Sequence, residues 1–305
     1  MRWAVFVLLL SLFPPVMAEQ PEKPLPAYRV VIIDRFFPPA EGFETEEQRD
    51  EHGWLYGMMD LDQDDRKEPF YHGDVVRLLA AHPKITFITY PIQDRQSPMA
   101  EILRNLRKIN ARLDMQPVAA LVLSWESSTL ISAFEKPLKL ENAWRYKTEV
   151  KRMGEQDLVW KDTYQIILEL EKLAGKGVSV YLIAGNGGRG MVNTFSFAEG
   201  TTTVGATEKE LGHFVAENPF VDTHAQAAYQ VKRIDDSSGK PLGYDIDGDL
   251  CPDIPLNRLT GYDNDRKEYP KSLWRPLIGS SFAAPVALKS ALFSDLELST
   301  CVAER

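Results

Sequence analysis

The chain has 305 residues, 44% hydrophobic and 26% charged, with a formal net charge of −9. That is enough apolar material for one large core, and nothing in it points to a coiled coil, a low-complexity protein or a repeat array. So acidic a chain has no electrostatic means of holding nucleic acid or anionic lipid, and neither is expected as a partner.

Residues 1–18 read as a secretory signal peptide. Arg2 supplies the positive end, Trp3 to Phe13 the apolar run, Pro14-Pro15 the break and Val16-Met17-Ala18 the small residues for cleavage. The run is too short for a stable membrane helix, and no later stretch is long enough to cross a bilayer. Residues 19–305 are therefore expected to form one secreted or periplasmic domain with no stable membrane span after cleavage. Residues 19–27, rich in Pro and Glu, read as an exposed lead-in.

Tyr28 to Ile33 is a β-branched run ending at Asp34, and similar apolar runs follow at Ile85 to Tyr90, Val118 to Leu123 and Val178 to Ile183. Each has the length of a buried strand. Helical patterns alternate with them: Asp74 to His82, Met99 to Leu113, and Asp162 to Leu173, the last closed by Gly175 and Gly177. This alternation predicts an α/β fold with a mainly parallel central sheet flanked by helices. Such sheets place their sites at the carboxyl ends of strands. Two stretches stand outside the pattern: an acidic excursion over 35–71 and a polar, Asp-rich insertion over about 230–272.

Chemistry-bearing residues fall at the ends of these elements. Asp34 closes the first strand, and His72-Gly73 opens the first helix. Ser281 sits in Gly279-Ser280-Ser281-Phe282-Ala283-Ala284-Pro285, leading into the last apolar helix. A serine hydroxyl needs a neighbouring base, and the base needs a carboxylate to hold its tautomer. Asn186, in Ala184-Gly185-Asn186-Gly187-Gly188 after a predicted strand, could donate to an oxyanion together with the Ser281 backbone N–H. Each residue alone has a plainer reading, as a cap, a turn or a satisfied histidine. Of the five histidines, only His72 opens a predicted helix with Gly after it.

Between about residues 28 and 292 these segments resemble the subtilase family, in the order Asp, His, Asn, Ser. His72-Gly73 matches the start of its H-G-T-H-V motif, Ala184-Gly185-Asn186 its A-G-N motif, and Gly279 to Pro285 its G-T-S-M-A-x-P motif. Val204-Gly205-Ala206 and Val221 to Ala225 resemble two further segments of the family. The resemblance implies a subtilisin-like three-layer fold and a serine endopeptidase acting on protein or peptide substrates, with Asp34, His72 and Ser281 as the triad and Asn186 at the oxyanion. It also implies that Ser124-Trp125-Glu126 lies along the substrate, pairing with it as an added strand. Glu126 stands where the family has Gly, so it would either obstruct that cleft or favour a basic side chain.

Arg35, Asp74 and Glu126 depart from the family's pattern, and the lead-in leaves no room for the usual folding propeptide. A separate folding partner or inhibitor is therefore expected. The alternative function is a non-catalytic subtilase-fold binding module of the cell envelope. Asp74, two residues after His72 in the first turn of the predicted helix, is expected to raise the imidazole pKa.

The chemistry itself requires no cofactor. Asp245, Asp247, Asp249 and Asp253 alternate around Gly248, as calcium loops do, so a structural calcium is expected here; an acidic solvated turn is the alternative, since Leu256 stands at the twelfth position. The two cysteines, Cys251 and Cys301, are expected to form one disulfide, because export favours its persistence; two buried thiols are the alternative.

Overall fold

The computed structural model describes residues 28–36, 58–59, 68–93, 97–246, 248, 250–255 and 274–293. The signal segment, most of the acidic excursion, Asp247, Asp249 and Cys301 lie outside the described residues.

In chain order the first strands are β1 (Tyr28–Asp34), β2 (Met58–Met59) and β3 (Glu68–Tyr71), and β3 runs directly into helix α1 (His72–Leu79). Next come β4 (Ile85–Pro91), α2 (Pro98–Arg112), β5 (Ala120–Leu123), β6 (Ser128–Leu130), α3 (Ala143–Met153) and α4 (Leu158–Gly175). They are followed by β7 (Ser179–Ile183), β8 (Met191–Asn193), β9 (Thr201–Ala206) and β10 (Thr223–Ala225). The chain then forms β11 (Ala228–Asp235), β12 (Pro241–Asp245), β13 (Ile254–Pro255), β14 (Trp274–Ile278) and α5 (Ser280–Leu292).

Six strands form a parallel central sheet in the order β10-β9-β7-β5-β1-β4. The inner strands β1, β5 and β7 are buried on both faces, which is why they read as continuous apolar runs, whereas the edge strand β4 is only partly covered. Val31, Ile33, Leu121, Leu123, Val180 and Leu182 point to one side and pack with Ile102 and Leu106 of α2 and Ile166 and Leu170 of α4. The alternating residues Val30, Ile32, Val122 and Ile183 pack on the other side with Val76 of α1 and with Ala283, Ala284, Ala287 and Leu288 of α5. The three layers are thus helix, sheet, helix, as predicted. α5 is mostly buried and shows no one-sided apolar stripe, and its alanines allow close approach to the sheet.

The Asp-rich stretch contains structure that its composition concealed. β11 to β14 build a four-stranded antiparallel sheet in the order β13-β12-β11-β14. Tyr229, Val231, Tyr244, Ile254 and Leu277 cover Val75 and Leu79 of α1 and Phe282 of α5. This second sheet holds together the two helices that carry His72 and Ser281. Among the described residues, no helix is long and apolar enough to cross a membrane.

Candidate active site

The strand order places a crevice. From β1 the chain moves to β4 on one side, whereas from β5 it moves to β7 on the other. The connections therefore diverge at the carboxyl ends of β1 and β5, the switch point where open α/β sheets bind ligands. Asp34 ends β1, Ser124 follows β5 and Ala184-Gly185-Asn186 follows β7.

Asp34 is fully buried, and its two carboxylate oxygens lie 3.0 and 2.9 Å from His72 Nδ1. Oδ1 also accepts the Arg35 N–H at 2.7 Å. These contacts fix His72 with a proton on Nδ1 and leave Nε2 as the basic nitrogen. Gly73 makes the approach possible. Its N–H donates to the Arg35 carbonyl at 2.8 Å, and a Cβ here would lie 2.5 Å from that oxygen and 2.8 Å from Asp34 Cβ.

Burial pushes the His72 pKa down, but the charge and hydrogen bond of Asp34 push it up, against a smaller lowering by Arg35. The imidazole is left above its ordinary value. Its side chain is 32% exposed, so water screens part of this interaction. Asp74 does not act as the sequence suggested. Its carboxylate turns back to accept the Tyr71 N–H at 2.9 Å and contacts Arg77 at 3.3 Å, and it is not among the causes of the His72 shift. An acid in a first helical turn finds the helix's own free N–H groups before it finds a side chain beyond them. Arg35 turns to Trp125, its guanidinium carbon 5.1 Å from the ring centroid, as a cation over an aromatic face.

Ser281 lies in the first turn of α5 and is nearly buried, and the next residue, Phe282, has its ring 5.6 Å from the His72 ring between centroids. No hydrogen bond joins Ser281 Oγ to His72 Nε2 among the described residues. Catalytic hydrogen bonds often tighten only on substrate binding. Pro285 has a defined consequence here. It has no N–H to give the carbonyl four residues back, which is that of Ser281. Ser124 Oγ supplies the missing donor at 3.0 Å. Ser124, placed along the substrate by the resemblance, is thus buried and tied to the helix of Ser281.

Asn186 is held by its oxygen. Oδ1 accepts both the N–H and the Oγ–H of Ser280, each at 3.0 Å. Because a backbone N–H can only donate, the amide orientation is fixed and Nδ2 is the free end, beside the residue that precedes Ser281. The Ser280 hydroxyl also accepts the Gly185 N–H at 3.2 Å. Glu126 Oε2 accepts the Asn186 N–H at 2.9 Å and the Ser128 hydroxyl at 2.6 Å.

Sequence reasoning missed Ser280 and Asn193. The hydroxyl of Ser280 was visible, standing where the family motif has Thr. Buried Asn193 accepts the Ser127 N–H at 3.1 Å and donates to the Ile183 carbonyl at 2.8 Å, joining the segment after β5 to the end of β7. No spacing rule marks such a residue.

In the Asp-rich loop, Asp245 accepts the Gly248 and Leu250 N–H groups at 2.7 and 3.0 Å, and Asp253 accepts the Ile246 N–H at 2.7 Å. These bonds fold the loop on itself and draw the Asp245 and Asp253 carboxylates onto its backbone N–H groups. Among the described residues, no group of three or more His, Cys, Asp or Glu could hold a metal ion.

No family model and no curated protein matches the chain. Several solved structures do. A lanthipeptide protease shares 15% identity at TM-score 0.44, over 87% of this chain and 71% of its own. The patellamide maturation protease PatA shares 16% at 0.44, over 87% and 76%. The MycP3 protease of the type VII (ESX-3) secretion system shares 14% at 0.44, over 88% and 71%. At such values the likenesses carry no weight in assigning chemistry to these side chains.

Proposed function

We propose that this chain is a secreted subtilisin-like serine endopeptidase that hydrolyses peptide bonds through Asp34, His72 and Ser281. The observation that carries the reading is the buried Asp34 carboxylate bound to His72 Nδ1, with Nε2 turned away and the helix of Ser281 packed alongside. His72 Nε2 takes the Ser281 proton as Oγ attacks the scissile carbonyl, and Asp34 stabilises the imidazolium that forms. Negative charge moves onto the carbonyl oxygen, where Asn186 Nδ2 and the Ser281 N–H donate to it. The imidazolium returns its proton to the leaving amine, an acyl-enzyme remains, and water activated by His72 releases the acid.

A fluorophosphonate probe tests this. Labelling should fall on Ser281 and be lost in Ser281→Ala and His72→Ala. Folded protein that takes no label would support the non-catalytic module instead. The same reading includes signal cleavage after residue 18, export, a Cys251–Cys301 bridge, a separate folding partner and a structural calcium in the 245–253 loop. The bridge is checked by mass spectrometry under non-reducing conditions. The calcium is checked by the change in Tm on adding the ion back to chelator-treated protein.

A further inference from the structure

Glu126 belongs to neither the triad nor the oxyanion pair, yet its carboxylate is built into the wall of the site. It follows β5 by three residues and reaches across to the loop after β7, where Oε2 accepts the Asn186 N–H and the Ser128 hydroxyl. The loop is shaped to admit it. A Cβ at position 185 would lie 2.5 Å from Glu126 Oε2 and 2.7 Å from Ser128 Oγ, and Gly185 has φ +103°, a conformation that favours glycine. The side chain is half-buried, and no Lys, Arg or His pairs with it among the described ion pairs. Oε1 accepts no hydrogen bond among the described residues and is open to solvent, so a half-buried carboxylate presents one oxygen that a ligand can take from water.

Asn186 links this carboxylate to the chemistry. Its main-chain N–H binds Glu126, and its side-chain Nδ2 is the oxyanion donor. A carbonyl seated on Nδ2 therefore has the Glu126 carboxylate one residue away along the wall. A side chain leaving the α-carbon next to that carbonyl reaches Oε1 if it has the length of Lys or Arg. We propose that Glu126 is a specificity-determining residue, selecting a cationic side chain on the residue whose carbonyl is attacked. The inference rests on the proteolytic reading above. Glu126 is then not an obstruction: its carboxylate is drawn aside onto the loop, and a charge-assisted bond to Oε1 completes it.

The test uses the full mature chain and matched peptidyl-coumarin amides that differ only at this position: arginine against citrulline, and lysine against norleucine. Each pair keeps a similar length and removes the charge. Wild type should favour the charged member by about 10- to 100-fold in kcat/KM, the range of one charge-assisted hydrogen bond. In Glu126→Gln the ratio should fall to near one. Equal rates on charged and neutral members in wild type would overturn the proposal without needing a variant, and so would a ratio unchanged in Glu126→Gln. An uncharged fluorophosphonate separates the two levels of failure. Ser281 labelling without charge preference removes only the role of Glu126; absence of labelling removes the protease reading and this inference with it.

Discussion

Ser124→Ala tests whether the helix of Ser281 is completed from outside. The Ser281 carbonyl lacks its in-helix donor because residue 285 is proline, and Ser124 Oγ donates to it at 3.0 Å. Ser124 is 4% exposed and Ser281 6%, so water does not readily replace the lost hydroxyl. Leaving a buried carbonyl short of a donor costs about 1–3 kcal/mol. For a domain of this size that lowers Tm by roughly 2–4 °C per kcal/mol. The informative comparison is with Pro285→Ala, which restores an N–H four residues after Ser281. In that background Ser124→Ala should cost less, with a coupling of about 1 kcal/mol. Urea unfolding of wild type, both single variants and the double variant measures it. Costs that add within about 0.5 kcal/mol would refute the account.

Three further outcomes are expected. Asn186→Ala should lower kcat by about 10²- to 10³-fold with KM little changed, because its donor acts on charge that develops only in the transition state; a change confined to KM on a peptide amide would contradict this. The His72 pKa is raised, so Ser281 labelling should increase with pH about a midpoint above the ordinary imidazole value, and Arg35→Gln should move that midpoint higher still. Stability runs the other way: a raised folded-state pKa contributes below the unfolded value, and that contribution is lost as pH rises through the folded one, which unfolding across pH would show. Gly73→Ala gains about 1 kcal/mol of helix propensity but drives a Cβ into the Arg35 carbonyl and Asp34 Cβ, at and just past the end of β1. Overpacking should win, with a net loss of about 1–3 kcal/mol by urea unfolding and slower Ser281 labelling; a variant as stable as wild type would contradict the contact.

The central sheet was legible because its inner strands are buried on both faces, and Val30 to Ile33 or Leu121 to Leu123 need no partner to be recognised. Asp34 and His72 were legible for a related reason: each sits where an apolar run changes period, and the structure brings them together. The β11 to β14 sheet was hidden because charged and turn-forming residues dominate its composition. The alternation in β11, with Tyr229, Val231 and Arg233 inward, was its one available sign. Helix α4 begins at Leu158, earlier than the apolar pattern suggested, because Asp157 caps it by accepting the Val159 and Trp160 N–H groups. The roles of Ser124, Ser280 and Asn193 depend on contacts between segments 66 to 157 residues apart, or on which end of an amide faces a neighbouring N–H, and neither leaves a periodic trace.

Strand β1 and helix α5 share one apolar cluster, although the other strands of the sheet lie between them in sequence. The Asp34–His72 contact needs only β1 and α1, whereas Ser281 joins them only after every intervening strand has been made. On the hydrolytic reading proposed above, a product cut off before α5 would be chemically inert however well its sheet had formed.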